Sequence, residues 1–491
     1  MRRLALLALL VPLIAACGCG SDKGSSSPLD GSLRYLPANA PFAVAIDTDL
    51  NDGQYKSAGK IADRFPFAGA AENELEKLFE RGGDVDFDQD VKPLLGNPFV
   101  VGAVDPAHFN GDAYVGAIEV KDKSKLEDLV KKGGAQQKGE KSGAKVYEDR
   151  TGNSYAIEDD VLLVAGSRKL LDEALDRRDG DDTLTEDKFD SALEGLPKDS
   201  LVRSYFNLES LLRATPGGRQ ATKVKWVGAL RTLGLVAQAR DDSVSIPFDL
   251  KTDPDGLTDK DLPVASGDTS PQVVQRAGEF AVGLRDLGHV VDFSIDAARA
   301  TQGPAIDVGK TQLEHQLGID VERDISDQLK GDTSVVITPS GDFGVRAELK
   351  DPAAFEKTLA KVAGTLPSVL AGVGASSVKL SKPRGGSDFY TLSQADGTST
   401  VFGVSHNVLV VSNSAAGARS LAAAKPASVP GAKGSIVMSA DAEKLVNSLL
   451  DRLSSLGLLG SFGVTKPLGQ LTGSAQTSTS GMKGTLELSF D

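Results

Sequence analysis

The sequence predicts an α+β protein made of two tandem homologous copies, each an antiparallel β-sheet with helices packed on one face. Two observations lead to this prediction. Similar segments recur in the same order in the two halves of the chain, and short β-rich runs alternate with helical periodicity in each half. The chain has 491 residues, of which 40% are hydrophobic, so each copy is long enough to bury a core of its own.

The first element is a secretory leader. A basic start precedes the apolar run Leu4–Ala16, which is too short to cross a membrane because a spanning helix needs about 20 residues. The run ends in Ile14-Ala15-Ala16-Cys17, which resembles the lipobox of bacterial lipoproteins. We therefore expect a signal peptide over residues 1–16, cleavage between Ala16 and Cys17, and a lipid on the Cys17 sulfur. The alternative is a plain secretory signal in which Cys17 is incidental.

The leader also predicts where the protein resides. Residues 17–33 include a serine-rich stretch typical of a flexible tether. Cys17 and Cys19 are the only cysteines, so with Cys17 acylated the folded part contains no disulfide. We expect the protein at the extracytoplasmic face of a bacterial cell membrane, attached to that membrane through the lipid.

The body of the chain contains matched segments. Phe42–Asp47 resembles Phe280–Arg285, and Asp86–Val91 resembles Asp320–Ile325. Three further pairs follow in the same order: Glu119–Asp122 with Glu348–Asp351, Val161–Val164 with Val408–Val411, and Phe248–Leu250 with Leu486–Leu488. The offset between the copies changes in loops and returns to its starting value, as expected for duplication followed by surface insertions and deletions. Chance similarity among amphipathic segments is the alternative.

These matches predict a first α+β copy over residues 34–253, a polar linker over 254–270 and a second copy over 271–491. Asn207 and Asp441 are predicted N-caps of the helices that follow them. In the first copy, the pattern predicts strands at Phe42–Asp47, Phe99–Val104, Tyr114–Glu119, Lys145–Glu148, Ser154–Glu158, Val161–Gly166, Leu235–Arg240 and Ser243–Thr252. It predicts helices at Glu72–Arg81, Ser124–Lys132, Lys169–Asp176, Leu208–Arg213 and Ala221–Leu233.

Composition and motifs argue against several functional classes. The formal net charge is −14, and an acidic surface repels phosphate backbones, so we expect no nucleic-acid partner. The four histidines have no metal-like spacing, and no nucleophile motif or phosphate-binding loop is complete. We therefore expect neither catalytic activity nor a cofactor.

One acidic motif has two interpretations. Alternating carboxylates at Asp86, Asp88 and Asp90 are oxygen ligands that suit calcium, which makes them weak metal candidates. The favoured interpretation is the start of a helix, where acidic side chains interact with the positive end of the helix dipole. The second copy has acids at the matching positions Asp320 and Asp324.

Two functions remain. The leading hypothesis is a non-enzymatic envelope protein that binds or scaffolds another envelope protein or a ligand. The alternative is a carrier that holds a lipid or another apolar molecule between sheet and helices, or between the two copies. The carrier hypothesis draws on the apolar face between Leu445 and Leu456, which has helical spacing.

Two segments resemble a known family. Tyr35–Asp49 and Asp90–Gly96 are similar to signatures of an uncharacterised bacterial family, catalogued as domain of unknown function three-three-five-two. The resemblance implies an envelope protein with a leader or anchor and covers most of residues 34–491. It implies no catalytic residue. The chain departs from the usual pattern at Leu94, where tryptophan is common in the family.

Overall fold

The computed structural model describes residues 27–65, 85–106, 113–149, 152–267, 269–274, 280–338, 342–372, 378–381, 389–394, 397–447 and 466–491. The predicted signal peptide, the lipidation site Cys17 and the predicted helix Glu72–Arg81 lie outside these residues. Within the described residues, no helix is both long and apolar enough to span a membrane. The chain divides into two compact units, which comprise residues 27–219 and 230–251, and residues 220–229 and 252–489.

The described residues of the first unit form ten strands. In chain order they are β1 (Phe42–Ile46), β2 (Phe99–Ala103), β3 (Tyr114–Glu119), β4 (Gln136–Lys141), β5 (Ala144–Glu148), β6 (Ser154–Glu158), β7 (Val161–Ala165), β8 (Val202–Asn207), β9 (Leu230–Arg240) and β10 (Ser243–Thr252). Their order across the sheet is β4-β5-β6-β7-β3-β2-β1-β8-β9-β10. The pairings are antiparallel, as two-residue turns and meanders require.

Ten strands are likewise formed by the part of the second unit that the structure describes. They are β11 (Phe280–Arg285), β12 (Asp332–Ile337), β13 (Phe343–Glu348), β14 (Lys379–Ser381), β15 (Phe389–Ser393), β16 (Ser399–Ser405), β17 (Val408–Ser412), β18 (Ile436–Asp441), β19 (Leu468–Ser478) and β20 (Gly481–Phe490). Their order is β14-β15-β16-β17-β13-β12-β11-β18-β19-β20, which repeats the order of the first unit strand for strand. The chain is therefore α+β with extensive antiparallel sheet, as the sequence predicts.

Helices connect the strands. The first six in chain order are α1 (Pro28–Leu33), α2 (Gly53–Ala62), α3 (Leu126–Lys132), α4 (Arg168–Arg177), α5 (Glu186–Ala192) and α6 (Leu208–Ala214). Those that follow are α7 (Pro216–Ala221), α8 (Lys225–Ala229), α9 (Leu287–Gln302), α10 (Ala305–Leu317), α11 (Val321–Asp324), α12 (Pro352–Gly372) and α13 (Ala415–Ala423). The predicted N-caps Asn207 and Asp441 are confirmed, since their side chains accept hydrogen bonds from backbone N–H groups of Ser210 and Lys444.

Helices pack on both faces of the first sheet, so the prediction of helices on one face is wrong there. Ala117 of β3 lies in a buried cluster with Leu171 of α4. The next residue, Ile118, points to the opposite face and lies in a second cluster with Leu126 of α3. The physical reason is that both faces of β3 are apolar, and an apolar face must be covered.

The predicted tether is also corrected. Residues 17–33 were expected to be flexible, yet Pro28–Leu33 form α1. The Ser27 hydroxyl accepts a hydrogen bond from the Asp30 backbone N–H at 3.1 Å, and Pro28 occupies a first-turn position where proline is favoured. Leu33 has no exposed surface, because α1 packs into the main core of the first unit.

Two further differences concern strands and the linker. The predicted helix Ala221–Leu233 is wrong, because α8 ends at Ala229 and β9 begins at Leu230. The sequence did not predict β4 or β8.

In the predicted linker, residues 254–270, Leu262 is fully buried and its carbonyl lies 2.9 Å from the His289 Nε2 atom. The predicted division of the chain at 253/254 otherwise stays a prediction.

Two glycines in the second unit should respond oppositely to alanine. A Cβ at Gly288, near the start of α9, would lie 1.9 Å from the Ser326 carbonyl oxygen, whereas a Cβ at Gly309, inside α10, would meet nothing within 4 Å. We expect Gly288→Ala to lower the free energy of unfolding by about 1–3 kcal/mol through overpacking. Gly309→Ala should raise it by about 0.4–1 kcal/mol, because alanine restricts the unfolded chain and favours helix. Urea unfolding of both variants checks this, and shifts in the same direction would contradict it.

Candidate functional site

A pocket lies in the first unit, at the end of β1. Its volume is about 210 Å³, and its polar lining comprises Asp47, Asp52, Lys198, Asp199, Ser200 and Arg203, with Leu29, Ala45 and Pro98 beside them. The sheet order places the carboxyl end of β1 between the amino ends of β2 and β8, so three segments distant in sequence meet here. Side chains of both charges therefore face one concave surface.

Asp47 is the first residue after β1 and is half-buried. Its Oδ1 accepts a hydrogen bond from the Asp49 backbone N–H at 2.9 Å, and the Tyr55 hydroxyl donates to its backbone carbonyl. Burial raises the pKa of the Asp47 carboxyl, and the nearby carboxylates of Asp52 and Asp49 raise it further. Among the described residues no cation forms an ion pair with Asp47, so no described side chain neutralises its charge.

Local hydrogen bonds fix the backbone around Asp47. The Thr48 hydroxyl donates to the Asn97 carbonyl at 2.6 Å and accepts from the Gly96 N–H at 2.8 Å, which ties the end of β1 to the segment before β2. Asp52 caps α2, with its carboxylate accepting from the Gln54 N–H at 2.7 Å. The acidic side of the pocket is thus held by structured backbone.

The basic side comes from β8 and the loop before it. Arg203 pairs with Asp190, and its guanidinium lies 5.3 Å from the centre of the Phe189 ring. Lys198 is exposed and makes no ion pair with any described residue. Ser200 is buried, and its hydroxyl has no hydrogen-bond partner among the described residues. A buried polar group without a partner is costly, which marks such positions as candidates for contact with a ligand.

The acidic motif of the sequence forms a helix start. The Asp86 carboxylate accepts from the Gln89 N–H at 2.8 Å and caps the π-helical turn Phe87–Val91, while Asp90 accepts from the Asp86 N–H at 2.9 Å. Asp88 pairs with Lys92 at 3.0 Å, and Asp90 with Lys132 at 2.6 Å. The Lys132 contact lowers the pKa of the Asp90 carboxyl.

The second unit repeats this capping arrangement. The Asp320 carboxylate accepts from the Arg323 N–H, and Asp324 accepts from the Asp320 N–H, both at 2.9 Å. In the described part of the chain, no group of three or more potential ligands could hold a metal ion. The carboxylates Asp86, Asp88 and Asp90 are thus engaged in capping and ion pairs, which favours the helix-start interpretation of this motif.

The histidines form no catalytic arrangement in the described residues. His289 lies near a backbone carbonyl, and His315 is exposed on α10. The Ser405 Oγ and His406 Nδ1 atoms lie 3.1 Å apart, but these residues are neighbours in a turn where His406 has φ 53°. A nucleophile and base also need a third group that orients the base. His108, Ala16 and Cys17 lie outside the described residues.

Sequence analysis missed the pocket. Asp47 was noted only as the end of a predicted strand, and neither Lys198 nor Arg203 was singled out. The available signal was weak: an acidic residue directly after an apolar strand, followed by two more acids at Asp49 and Asp52. The opposing charges become visible only when the pairing of β1 with β8 is known.

Asp86 and Asp88 offer a matched test of the capping role. We expect Asp86→Ala to lower the free energy of unfolding by about 0.5–2 kcal/mol, because it leaves backbone N–H groups without a cap. Asp88→Ala removes only an exposed pair and should cost less than about 0.5 kcal/mol. Denaturant unfolding measures both. A calcium-dependent gain in melting temperature that Asp86→Ala abolishes would contradict the capping role.

Asp47 should reduce stability while ionised. Its pKa in the folded state is raised, so ionisation at neutral pH disfavours folding, and this cost disappears as the pH falls through that pKa. Asp47→Asn keeps the hydrogen-bond acceptor and removes the charge. We expect it to raise the free energy of unfolding at neutral pH by less than about 1 kcal/mol, because solvent screens a half-exposed group.

Urea unfolding at neutral and mildly acidic pH measures this difference, which should shrink on acidification. Asp181→Asn, which changes an exposed loop carboxylate, is the matched control and should have little effect. A loss of stability on Asp47→Asn at neutral pH would show that its charge is stabilised.

Comparisons with known proteins add a family. No curated protein matches the chain. Three crystal forms of TP0453, forms III, IV and I, are similar to part of the chain at 12%, 11% and 13% identity. The match covers 47%, 45% and 46% of this chain and 81%, 80% and 79% of those chains. The TM-score is 0.26 in each case, which is too low to support an inference about fold or function.

The family match includes most of the predicted leader and the described residues of the first unit. The sequence profile described as "Protein of unknown function (DUF3352)" matches residues 4–265, which is more than half of the chain. This is the family that the segments Tyr35–Asp49 and Asp90–Gly96 resemble. The chain therefore belongs to the DUF3352 family of proteins of unknown function.

Proposed function

We propose that this protein is a lipid-anchored, non-enzymatic binding protein of the bacterial envelope, held at the extracytoplasmic face of the cell membrane. The observation that carries the proposal is the leader, a short apolar run that ends in Ile14-Ala15-Ala16-Cys17. Acyl chains on Cys17 contribute about 0.8 kcal/mol for each buried methylene, so two or more chains hold a protein stably on a bilayer.

The described residues support binding more than catalysis. The pocket in the first unit is lined by carboxylates and cations. Among its described lining residues, no nucleophile is hydrogen-bonded to a base that would activate it. A general base must also lie within hydrogen-bond reach of the proton that it removes. The pocket volume of about 210 Å³ is below the roughly 300–1,000 Å³ of pockets for drug-sized ligands. A polar pocket of this size suits a small polar molecule.

The proposal includes duplication: the two units derive from one ancestral domain. The support is their shared strand order and pairing register. For example, Val202 of β8 pairs with Ala237 of β9, and the matching residues Ile436 and Ala475 pair in the second unit. Capping repeats too, since Ser167 caps α4 and Ser414 caps α13 at the same point after a paired strand.

Lipid carriage receives less support. The pocket is lined by charged groups, whereas an acyl chain is stabilised by apolar surface. The apolar face that suggested a carrier runs from Leu445, which is 36% exposed, to Leu456, and most of it lies outside the described residues. Carriage therefore stays a prediction from the sequence.

Two neighbouring cysteines provide a matched test of the anchor. In a bacterial host grown with labelled palmitate, the full-length protein should take up the label, and Cys17→Ala should abolish the uptake. Cys19→Ala should leave the uptake unchanged, because only Cys17 occupies the lipobox position. Mass spectrometry of the N-terminal peptide should find the lipid on the first residue of the mature chain.

Equal labelling of the Cys17→Ala protein would exclude this residue as the anchor. An unmodified N-terminal peptide from the wild-type protein would exclude a lipoprotein. Membrane fractionation alone is a poorer measure, since an uncleaved leader can itself hold the Cys17→Ala protein at the membrane.

A further inference from the structure

At the position of Asp47 the second unit has an ion pair, whereas Asp47 makes none with a described residue. By the register of the paired strands, Asp47 and Pro98 of the first unit correspond to Arg285 and Asp332 of the second. Arg285 and Asp332 lie 3.9 Å apart and form an ion pair with each other. The second unit thus neutralises its charge at this position internally, while the first unit places a proline opposite Asp47.

The basic side differs in the same way. Arg203 pairs with Ala45 across β8 and β1, and the corresponding pair in β18 and β11 is Val437 with Gly283. Val437 is fully buried in an apolar cluster with Val273, Ala281 and Val429. The two units share a strand order but differ at this position. The first unit has Arg203, which lines the charged pocket, whereas the second has Val437 in a buried apolar cluster.

A structural role alone does not account for the charges of the pocket. The second unit pairs its charges at the matching strand ends and has a buried valine at the position of Arg203, which is the less costly arrangement because unpaired charged groups lose solvation on burial. Asp47 is half-buried with two further carboxylates nearby and without an ion pair in the described residues. Lys198 likewise makes none there, although it lines the same cavity.

We propose that this pocket binds a small zwitterion, with the ammonium group facing Asp47 and Asp52 and the carboxylate facing Lys198. The ammonium group supplies the counter-charge that Asp47 lacks among the described residues, and the carboxylate supplies one for Lys198, which makes no ion pair with Asp199 although both line the cavity. The volume of about 210 Å³ is below the roughly 300–1,000 Å³ of pockets for drug-sized ligands, which fits a molecule as small as a free amino acid or a short amino alkanoate.

Arg203 and Ser200 complete the site. The guanidinium of Arg203 is held by an ion pair with Asp190 and by the Phe189 ring, so its N–H donors stay in a fixed position at the pocket. The buried hydroxyl of Ser200 offers a hydrogen bond that no described residue uses. The inference goes beyond the proposed anchoring function and does not depend on Cys17, so each can fail separately.

Matched probes separate the contributions of the two charges. The full-length protein in detergent is titrated calorimetrically with glycine, β-alanine and γ-aminobutyrate, and then with butylammonium and butyrate. We expect at least one zwitterion to bind, with an affinity about tenfold or more above that of either singly charged analogue. The absence of binding by every zwitterion at millimolar concentration overturns the proposal. Butylammonium binding equal to that of the zwitterions overturns it in favour of a simple cation site.

Variants locate the bound zwitterion. Asp47→Asn and Lys198→Ala should each lower its affinity about tenfold or more, while Asp181→Asn, in an exposed loop, should leave the affinity unchanged. Circular dichroism and melting temperature establish that each variant is folded, and Lys198 is exposed enough that its loss should not affect folding. Unchanged affinity in both pocket variants would place the ligand elsewhere and overturn the assignment.

Discussion

Alternation of small and large side chains along the strands is the constraint on which the first unit depends. In β1, Ala43 and Ala45 face the main core, and in β3, Ala117 does the same, which lets α1 and α4 approach the sheet closely. A Cβ at Gly102 of β2 would lie 2.5 Å from the Leu36 side chain, so this approach leaves no spare room. A one-residue slip in register would turn every such residue to the opposite face. Register therefore determines both the packing of the helices and the residues that meet at the strand ends.

Alternation also explains how much of the fold could be predicted. The strands β1, β2, β3 and β7 were predicted within about one residue, because each carries apolar side chains that the core requires. β4 was missed because all its side chains are polar and most are exposed, so no hydrophobic pattern marks it. The start of β9 was interpreted as helix because its leucines continue a helical spacing, and pairing with β8 overrides that local preference.

The candidate site was less predictable than the fold for a related reason. Its acidic side is local in sequence, whereas Arg203 belongs to the distant strand β8 and Lys198 to the loop before it, and no spacing rule connects the two sides. Even the alignment of the two halves could not reveal it, because the second half has Arg285 and Val437 at the corresponding positions. By contrast, the helix start at Asp86 depends on neighbouring residues alone: the sequence favours it through the helix dipole, and the structure adds the capping hydrogen bond from the Gln89 N–H.

The edge strand β4 affects whether neighbouring molecules of this protein associate with one another through their sheets. It lies at the end of the strand order of the first unit, and within the described residues its outer edge has no neighbouring strand. An edge with open backbone groups can recruit the edge of another molecule and seed aggregation. Here Lys138 and Lys141 place positive charges along the strand, and a bulge at Gly139, with φ 129°, breaks the regular spacing of the hydrogen-bonding groups. These features discourage sheet-to-sheet association when molecules are crowded side by side.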